Sequence, residues 1–244
     1  ADEAAKKAKA YDILFKILSL NGQLLLTLKE LDKAIKVYEY ALGINTDLFT
    51  KYPDNDFFKS SLEVNLENIG NLGNNLVNFG KISQAKKCYE LCILSSEKLL
   101  EKDPKNATYL VYLGNTQNNL GTLFFNMNDM DEAKIRYEKA LEIREKLLEK
   151  DPKNVTYQEY VETASNSLGN VLSNTGCTEQ AKIRYEKALE IRERLLVKDS
   201  ENVEYKFNVA TTLNSLGNLL SDMGRIEEAK GKYEKALEIY EKIT

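Results

Sequence analysis

Histidine is absent from this 244-residue sequence. That removes the commonest general base, the commonest metal ligand and every catalytic triad built on imidazole. Cysteine is scarce and odd in number (Cys88, Cys92 and Cys177), so an oxidised framework is not expected and a reducing, cytoplasmic compartment is favoured. Cys88 and Cys92 stand four apart on a helix, yet nothing completes a set of four metal ligands, and the pair reads as small apolar packing residues. No apolar run approaches the roughly 20 residues that a bilayer requires. The first ten residues, ADEAAKKAKA, lack the apolar segment of a secretory signal, and the missing initiator Met fits a processed chain or a fragment. A basic excess is missing too: 34 Lys and Arg against 38 Asp and Glu leave a net charge of −4. Neither the basic stripe of a nucleic-acid protein nor a polybasic membrane patch is present. No acid–base pair, phosphate loop or metal set stands out, so neither an enzyme nor a cofactor is expected.

Proline is nearly absent as well, with three residues, and glycine is held to twelve among abundant Leu, Lys, Glu, Ala and Asn. That composition predicts a helical chain. Its helices repeat. Leu-Gly recurs at Leu72-Gly73, Leu120-Gly121, Leu168-Gly169 and Leu216-Gly217, followed at fixed distances by Ala85, Ala133, Ala181 and Ala229. A tyrosine then recurs at Tyr89, Tyr137, Tyr185 and Tyr233, and a small residue at Cys92, Ala140, Ala188 and Ala236; the period is 48 throughout. A weaker upstream copy carries Asn21-Gly22, Ala34, Tyr38 and Ala41, offset by 51, which places a three-residue insertion near NDFFKSS.

Apolar spacing of i, i+3, i+4 within each copy predicts two antiparallel helices of about 20 residues, each roughly 30 Å long. Gly80, Gly176, Gly224 and Asn128 suit left-handed turns closing the first helices. Asp-Pro at 103–104 and 151–152 suits a helix cap with proline in the first turn. A hairpin with one small-residue seam cannot bury both faces of its helices, so stacked copies are expected. The fold class is all-α: an α-solenoid of five helix pairs in one domain, with repeats at 7–52, 55–102, 103–150, 151–198 and 199–244.

The two helices of a unit differ in charge. The second carries Glu–Lys and Glu–Arg pairs four apart, as in AKIRYEKALEIREKLLEK, which read as a solvated face. The first is charge-free over 110–126, 68–80, 163–176 and 207–221, and its polar positions are Asn, Ser, Thr and Gln. Asn118, Asn166 and Asn214 stand two before the repeated Leu, and Asn74, Asn170 and Asn218 two after. Asn78, Asn126 and Asn174 stand six after, with Asp222 in the last copy, and Asn115 lies on the same stretch. Steps of four put these on one face. A carboxamide both donates and accepts, so rows of Asn match an extended peptide backbone; equally, neighbouring asparagines can bond one another and hold copies in register. Both readings stand at this point. Tyr109, Tyr157 and Tyr205 read as inter-repeat core, and the sequons at Asn106 and Asn154 fall in predicted first turns.

Leu-Gly, then Ala, an aromatic, Ala and Pro resembles the tetratricopeptide repeat over essentially the whole chain, with 48 residues instead of the family's 34. The excess divides evenly, two helical turns to each helix. The resemblance implies a right-handed superhelix whose first helices line a concave groove. It also implies a protein or extended-peptide partner, with Asn-lined grooves like those of kinesin-light-chain-type repeats and long units like prokaryotic, especially archaeal, arrays. The carboxylate clamp that holds acidic C-termini is not matched, because only Lys16 and Lys206 are near such faces. The rival expectation is a structural or self-assembly module: the sequence stops at ALEIYEKIT, which fits a fragment of a longer array or terminal repeats that stack end to end.

Overall fold

The computed structural model describes residues 2–243, with side chains from residue 10 onward. Among the described residues there are ten helices and no strand. They are α1 (Asp2–Thr27), α2 (Leu31–Lys51), α3 (Asp56–Asn78), α4 (Ile82–Lys102), α5 (Ala107–Asn126), α6 (Met130–Lys150), α7 (Val155–Asn174), α8 (Thr178–Lys198), α9 (Val203–Asp222) and α10 (Ile226–Glu241). No described helix is long and apolar enough to cross a membrane.

The chain forms two compact units, one ending at Leu123 and the next beginning at Phe124, so the boundary falls within α5. In the first unit α1 packs on α2, α2 on both α3 and α4, and α3 on α4. In the second, α6 through α9 each pack on the next helix in sequence. The repeated small and apolar residues supply the contacts: Ala85, Ala181, Ala188, Leu168 and Leu216 are at most 1% exposed. Apolar stripes at helical spacing on both partners account for this burial, which drives the packing.

Each first helix ends in a left-handed turn. Gly80, Gly176 and Gly224 have φ of 69°, 75° and 75°, and Asn128 has 61°. The N–H one residue past the glycine reaches back to the helix, as in Lys81 to the Leu76 carbonyl and Cys177 to that of Leu172, both 2.8 Å. Lys29 occupies the same position in the first copy, with φ of 61°.

The junctions after the second helices differ from expectation. Asp103 and Asp151 do not cap the following helix; they terminate α4 and α6, donating their N–H to Leu99 and Leu147. The following helices are capped instead by Asn106 and Asn154, whose side chains accept from the N–H of Tyr109 (3.2 Å) and Tyr157 (3.1 Å). Asn55 and Asn202 cap α3 and α9 in the same way. Asn is as good an N-cap as Asp, and Pro stands in the turn before Asn55, Asn106 and Asn154, with Ser200 in that place before Asn202. Four asparagines are thereby explained by helix initiation.

The three-residue insertion lengthens α3 to 23 residues, against 20 for α5, α7 and α9. Across three junctions a second-helix side chain donates to a carbonyl sixteen residues later on the next helix: Asn45 to Ser61 (3.3 Å), Arg144 to Tyr160 (2.9 Å) and Arg192 to Asn208 (3.0 Å).

Candidate partner-binding face of the first helices

The Leu-Gly-Asn run is one packing device. Leu72, Leu168 and Leu216 are buried in the hairpin. The tyrosine sixteen residues past each glycine lies directly over it: a Cβ on Gly73, Gly169 or Gly217 would stand 2.6, 2.7 or 2.5 Å from the rings of Tyr89, Tyr185 or Tyr233. Only glycine admits the ring so close. The phenol then reaches one residue further. Tyr89 donates to Asn74 Oδ1 at 2.7 Å, Tyr185 to Asn170 Oδ1 at 2.7 Å, and Tyr233 to Asn218 Oδ1 at 2.8 Å.

This bond orients the carboxamide. The oxygen of each of these three asparagines is held toward the hairpin, and the NH2 group is the part left for other contacts. In the first unit Asn74 Oδ1 also accepts from Asn119 Nδ2 of the neighbouring first helix, at 3.0 Å. That is the inter-copy asparagine bond anticipated above, and it occurs beside the Tyr89 bond on one oxygen.

The other candidates are distributed along the same helices. Asn78, Asn126 and Asn174 are the last residues of α3, α5 and α7 and are exposed. Asn115 and Asn118 are half-buried on α5. Asn214 is exposed on α9, and Asn166 is half-buried on α7 with its Oδ1 buried and without a hydrogen-bond partner. In the second unit, α7 therefore carries Asn166, Asn170 and Asn174, and α9 carries Asn214 and Asn218.

Charge enters this surface nearer the starts of α7 and α9. A cleft of about 450 Å³ there is lined by residues including Glu159, Glu162, Arg192, Glu204 and Tyr205. Glu162 and Arg192 form a buried ion pair, and Arg192 also donates to Thr212 Oγ1. Tyr205 donates to Glu159 Oε1 at 2.7 Å, and this carboxylate pushes the phenol pKa up to about 12. The charge-free stretches begin after these residues, so the sequence pattern gave no sign of the cleft. Tyr205 and Tyr157 are half-buried, whereas Tyr109 is wholly enclosed, edge-on to Phe49 at 6.0 Å between ring centres.

The cysteines behave as packing residues. Cys88 and Cys92 are buried, Cys92 donates its thiol toward the Leu66 carbonyl, and burial pushes both thiols up to about 12. Cys177 is half-buried at the start of α8 and makes no side-chain cap. No group of three or more Cys, Asp or Glu able to hold a metal occurs among the described residues.

Family models of the tetratricopeptide repeat match residues 16–48 and 66–99, residues 113–152 and residues 160–242. Among solved structures, the chain is similar to BtubC (BKLC) from P. vanneervenii, with 19% identity and a TM-score of 0.63 over 99% of this chain and 87% of that one. It is also similar to a Podosopora anserina kinesin light chain with nearly identical TPR-like repeats, at 15% identity and a TM-score of 0.57 over 93% and 94% of the two chains. The MamA protein aligns at 20% identity and a TM-score of 0.50, over 93% and 92%. At such identities the likeness is one of fold. No curated protein matches. With its period, its helix pairs and its Leu-Gly…Ala…Tyr…Ala seam accounted for, the chain belongs to the tetratricopeptide-repeat family and has that family's all-α helical-repeat solenoid fold.

Proposed function

We propose that this chain is a non-catalytic scaffold that binds a protein or an extended peptide along the asparagine-bearing faces of its first helices. The family is one of protein-interaction scaffolds, and the finer reading rests on one observation. Asn170 and Asn218 are oriented by Tyr185 and Tyr233, so each keeps its NH2 available beside Asn166, Asn174 and Asn214. Pre-oriented donors lose little freedom on binding, which favours recognition of main-chain carbonyls with little demand on side-chain sequence. Asn74, Asn78, Asn115, Asn118 and Asn126 extend the same proposal to α3 and α5.

The test is a displayed random-peptide selection on the native chain, with recovered peptides measured on Asn166→Ala/Asn214→Ala. Neither residue carries a tyrosine bond, so the variant should melt within about 1 kcal/mol of the native chain. Peptide binding weakened tenfold or more at equal helicity supports the reading. Undiminished binding removes these asparagines from it.

A specific observation favours a second reading, self-association. On α1, Ile13, Ile17, Leu20 and Leu24 form one helical stripe, continued by Leu28 in the turn just after it, each more than half exposed. Leu237 on α10 is 58% exposed, whereas Leu42, Ile93, Leu141 and Leu189 at the same register are buried. Apolar stripes of this kind are interaction surfaces. Light scattering over a concentration series, with Leu20→Lys/Leu24→Lys as the comparison, decides it: a strict monomer at high concentration excludes this reading.

A further inference from the structure

Two irregularities of the repeat meet at one place in the first unit. The first is Asn65. Its register is occupied by Leu14, Leu113, Val161 and Val209 in the other four copies, so an amide stands where every sibling has an aliphatic side chain. It is 7% exposed, and its Nδ2 is buried with no hydrogen-bond partner. A buried donor left unmade costs its full desolvation, a cost an aliphatic residue would avoid. The second irregularity is the extra turn of α3, which carries Phe57 alongside Phe15 of α1, ring centres 6.4 Å apart.

Both line a cleft of about 360 Å³ between α1 and α3, together with Val64, which is 54% exposed. That size lies at the lower end of ligand pockets, and apolar walls with a few placed polar groups are their usual lining. Among the described residues the cleft offers no free cation. Lys16, on its rim, is paired with Asp12 at 2.7 Å. An acidic side chain or terminal carboxylate therefore finds no unpaired cation among these residues.

We infer that this cleft is the anchoring subsite for a bound polypeptide segment, an inference that rests on the peptide-binding reading above. The segment is extended and uncharged at this point. It lays one aliphatic or aromatic side chain against Phe15, Phe57 and Val64, and its main-chain carbonyl accepts from Asn65 Nδ2. The carbonyl supplies the acceptor that the folded chain lacks, which accounts for an asparagine at an aliphatic register.

The experiment pans a phage-displayed random peptide library on the full 244-residue chain and measures recovered peptides on Asn65→Leu and Val64→Asp. Asn65→Leu restores the sibling residue and is expected to melt no lower than the native chain. Val64→Asp changes an exposed position and decides the matter if Asn65→Leu misfolds. The expected result is a consensus with one large apolar residue in an uncharged stretch, and binding at least tenfold weaker on both variants. Peptides that bind both variants as tightly as the native chain overturn the subsite while leaving the groove reading intact; Asn65 is then satisfied by water only. A native chain that enriches no peptide overturns both.

Discussion

The ring of Tyr185 fills the space that a Cβ on residue 169 would occupy, 2.7 Å from the ideal Cβ position. The same relationship joins Tyr89 to Gly73, Tyr233 to Gly217 and Tyr38 to Gly22. The glycine is thus a socket for the ring, and the asparagine after it receives the phenol in three of these copies. The sequence run and the distant tyrosine are parts of one lock between the two helices of a unit.

Gly169→Ala therefore acts against helix propensity. Alanine in a helix interior should gain about 1 kcal/mol over glycine, but displacing a packed ring costs about 1–3 kcal/mol. A net loss of stability is expected, read as a lower urea midpoint. Gly43→Ala is the control, because no atom lies within 4 Å of its added Cβ; it should stabilise by about 0.5–1 kcal/mol. Tyr185→Phe, which keeps the ring and removes only the bond to Asn170, should cost about 0.5–1.5 kcal/mol.

The turn at Lys29 offers the opposite sign. A lysine at φ 61° carries the left-handed penalty that Gly80, Gly176 and Gly224 avoid. Lys29→Gly should raise the stability by up to about 1 kcal/mol, read as a higher urea midpoint, and Gly176→Ala should lower it by at least as much. No change in either variant would show that the turns impose no strain.

Much of this was legible in the sequence, for identifiable reasons. The 48-residue period, the glycine turns and the insertion in α3 follow from local chemistry that leaves a signature in residue type. Lys29 has no such signature, because its backbone angle is set by the copy it belongs to. The Asp-Pro junction was misread because Asp103 and Asn106 are both competent caps and only the geometry separates them. The asparagines were the hardest. One residue type initiates helices at Asn154, receives a phenol at Asn170 and joins neighbouring helices at Asn119, and the pattern alone does not separate these uses. Asn65 lay inside the repeat but off the asparagine register, so a search for regularity passed over it.

Alkaline pH should unfold the chain through its tyrosines. Burial pushes Tyr89, Tyr109 and Tyr185 up to about 12, and Glu159 does the same for Tyr205. A raised phenol pKa means the folded state retains the proton that the unfolded state loses near 10. The resulting stability is fully present below about pH 10 and is lost as pH rises toward about 12. Urea midpoints across that range should fall steeply. Glu159→Gln should bring the Tyr205 titration, followed by phenolate absorbance, back toward its ordinary value.

Thiol chemistry should distinguish the cysteines just as sharply. Cys88 and Cys92 are buried with raised thiols, and Cys177 is partly exposed. Iodoacetamide on the native chain at neutral pH should label one cysteine, identified by peptide mass spectrometry as Cys177, because the thiolate is the reactive form and access is required. Labelling of all three without denaturant would contradict the packing of α4 described above.

The ion pair between Glu162 and Arg192 tests what ties α7, α8 and α9 together. Both side chains are under a tenth exposed, and Arg192 also holds the Asn208 carbonyl and Thr212. Removing one partner strands a buried charge, so Glu162→Ala should cost about 3–5 kcal/mol even though Ala210 occupies its register in the next copy. Arg192→Met combined with Glu162→Ala removes both charges and should recover much of that loss. The pair is then a device for register more than for stability. Should the double variant be as unstable as the sum of the singles, the hydrogen bonds from Arg192 to Asn208 and Thr212 carry the junction, and the Glu162 carboxylate is incidental to it.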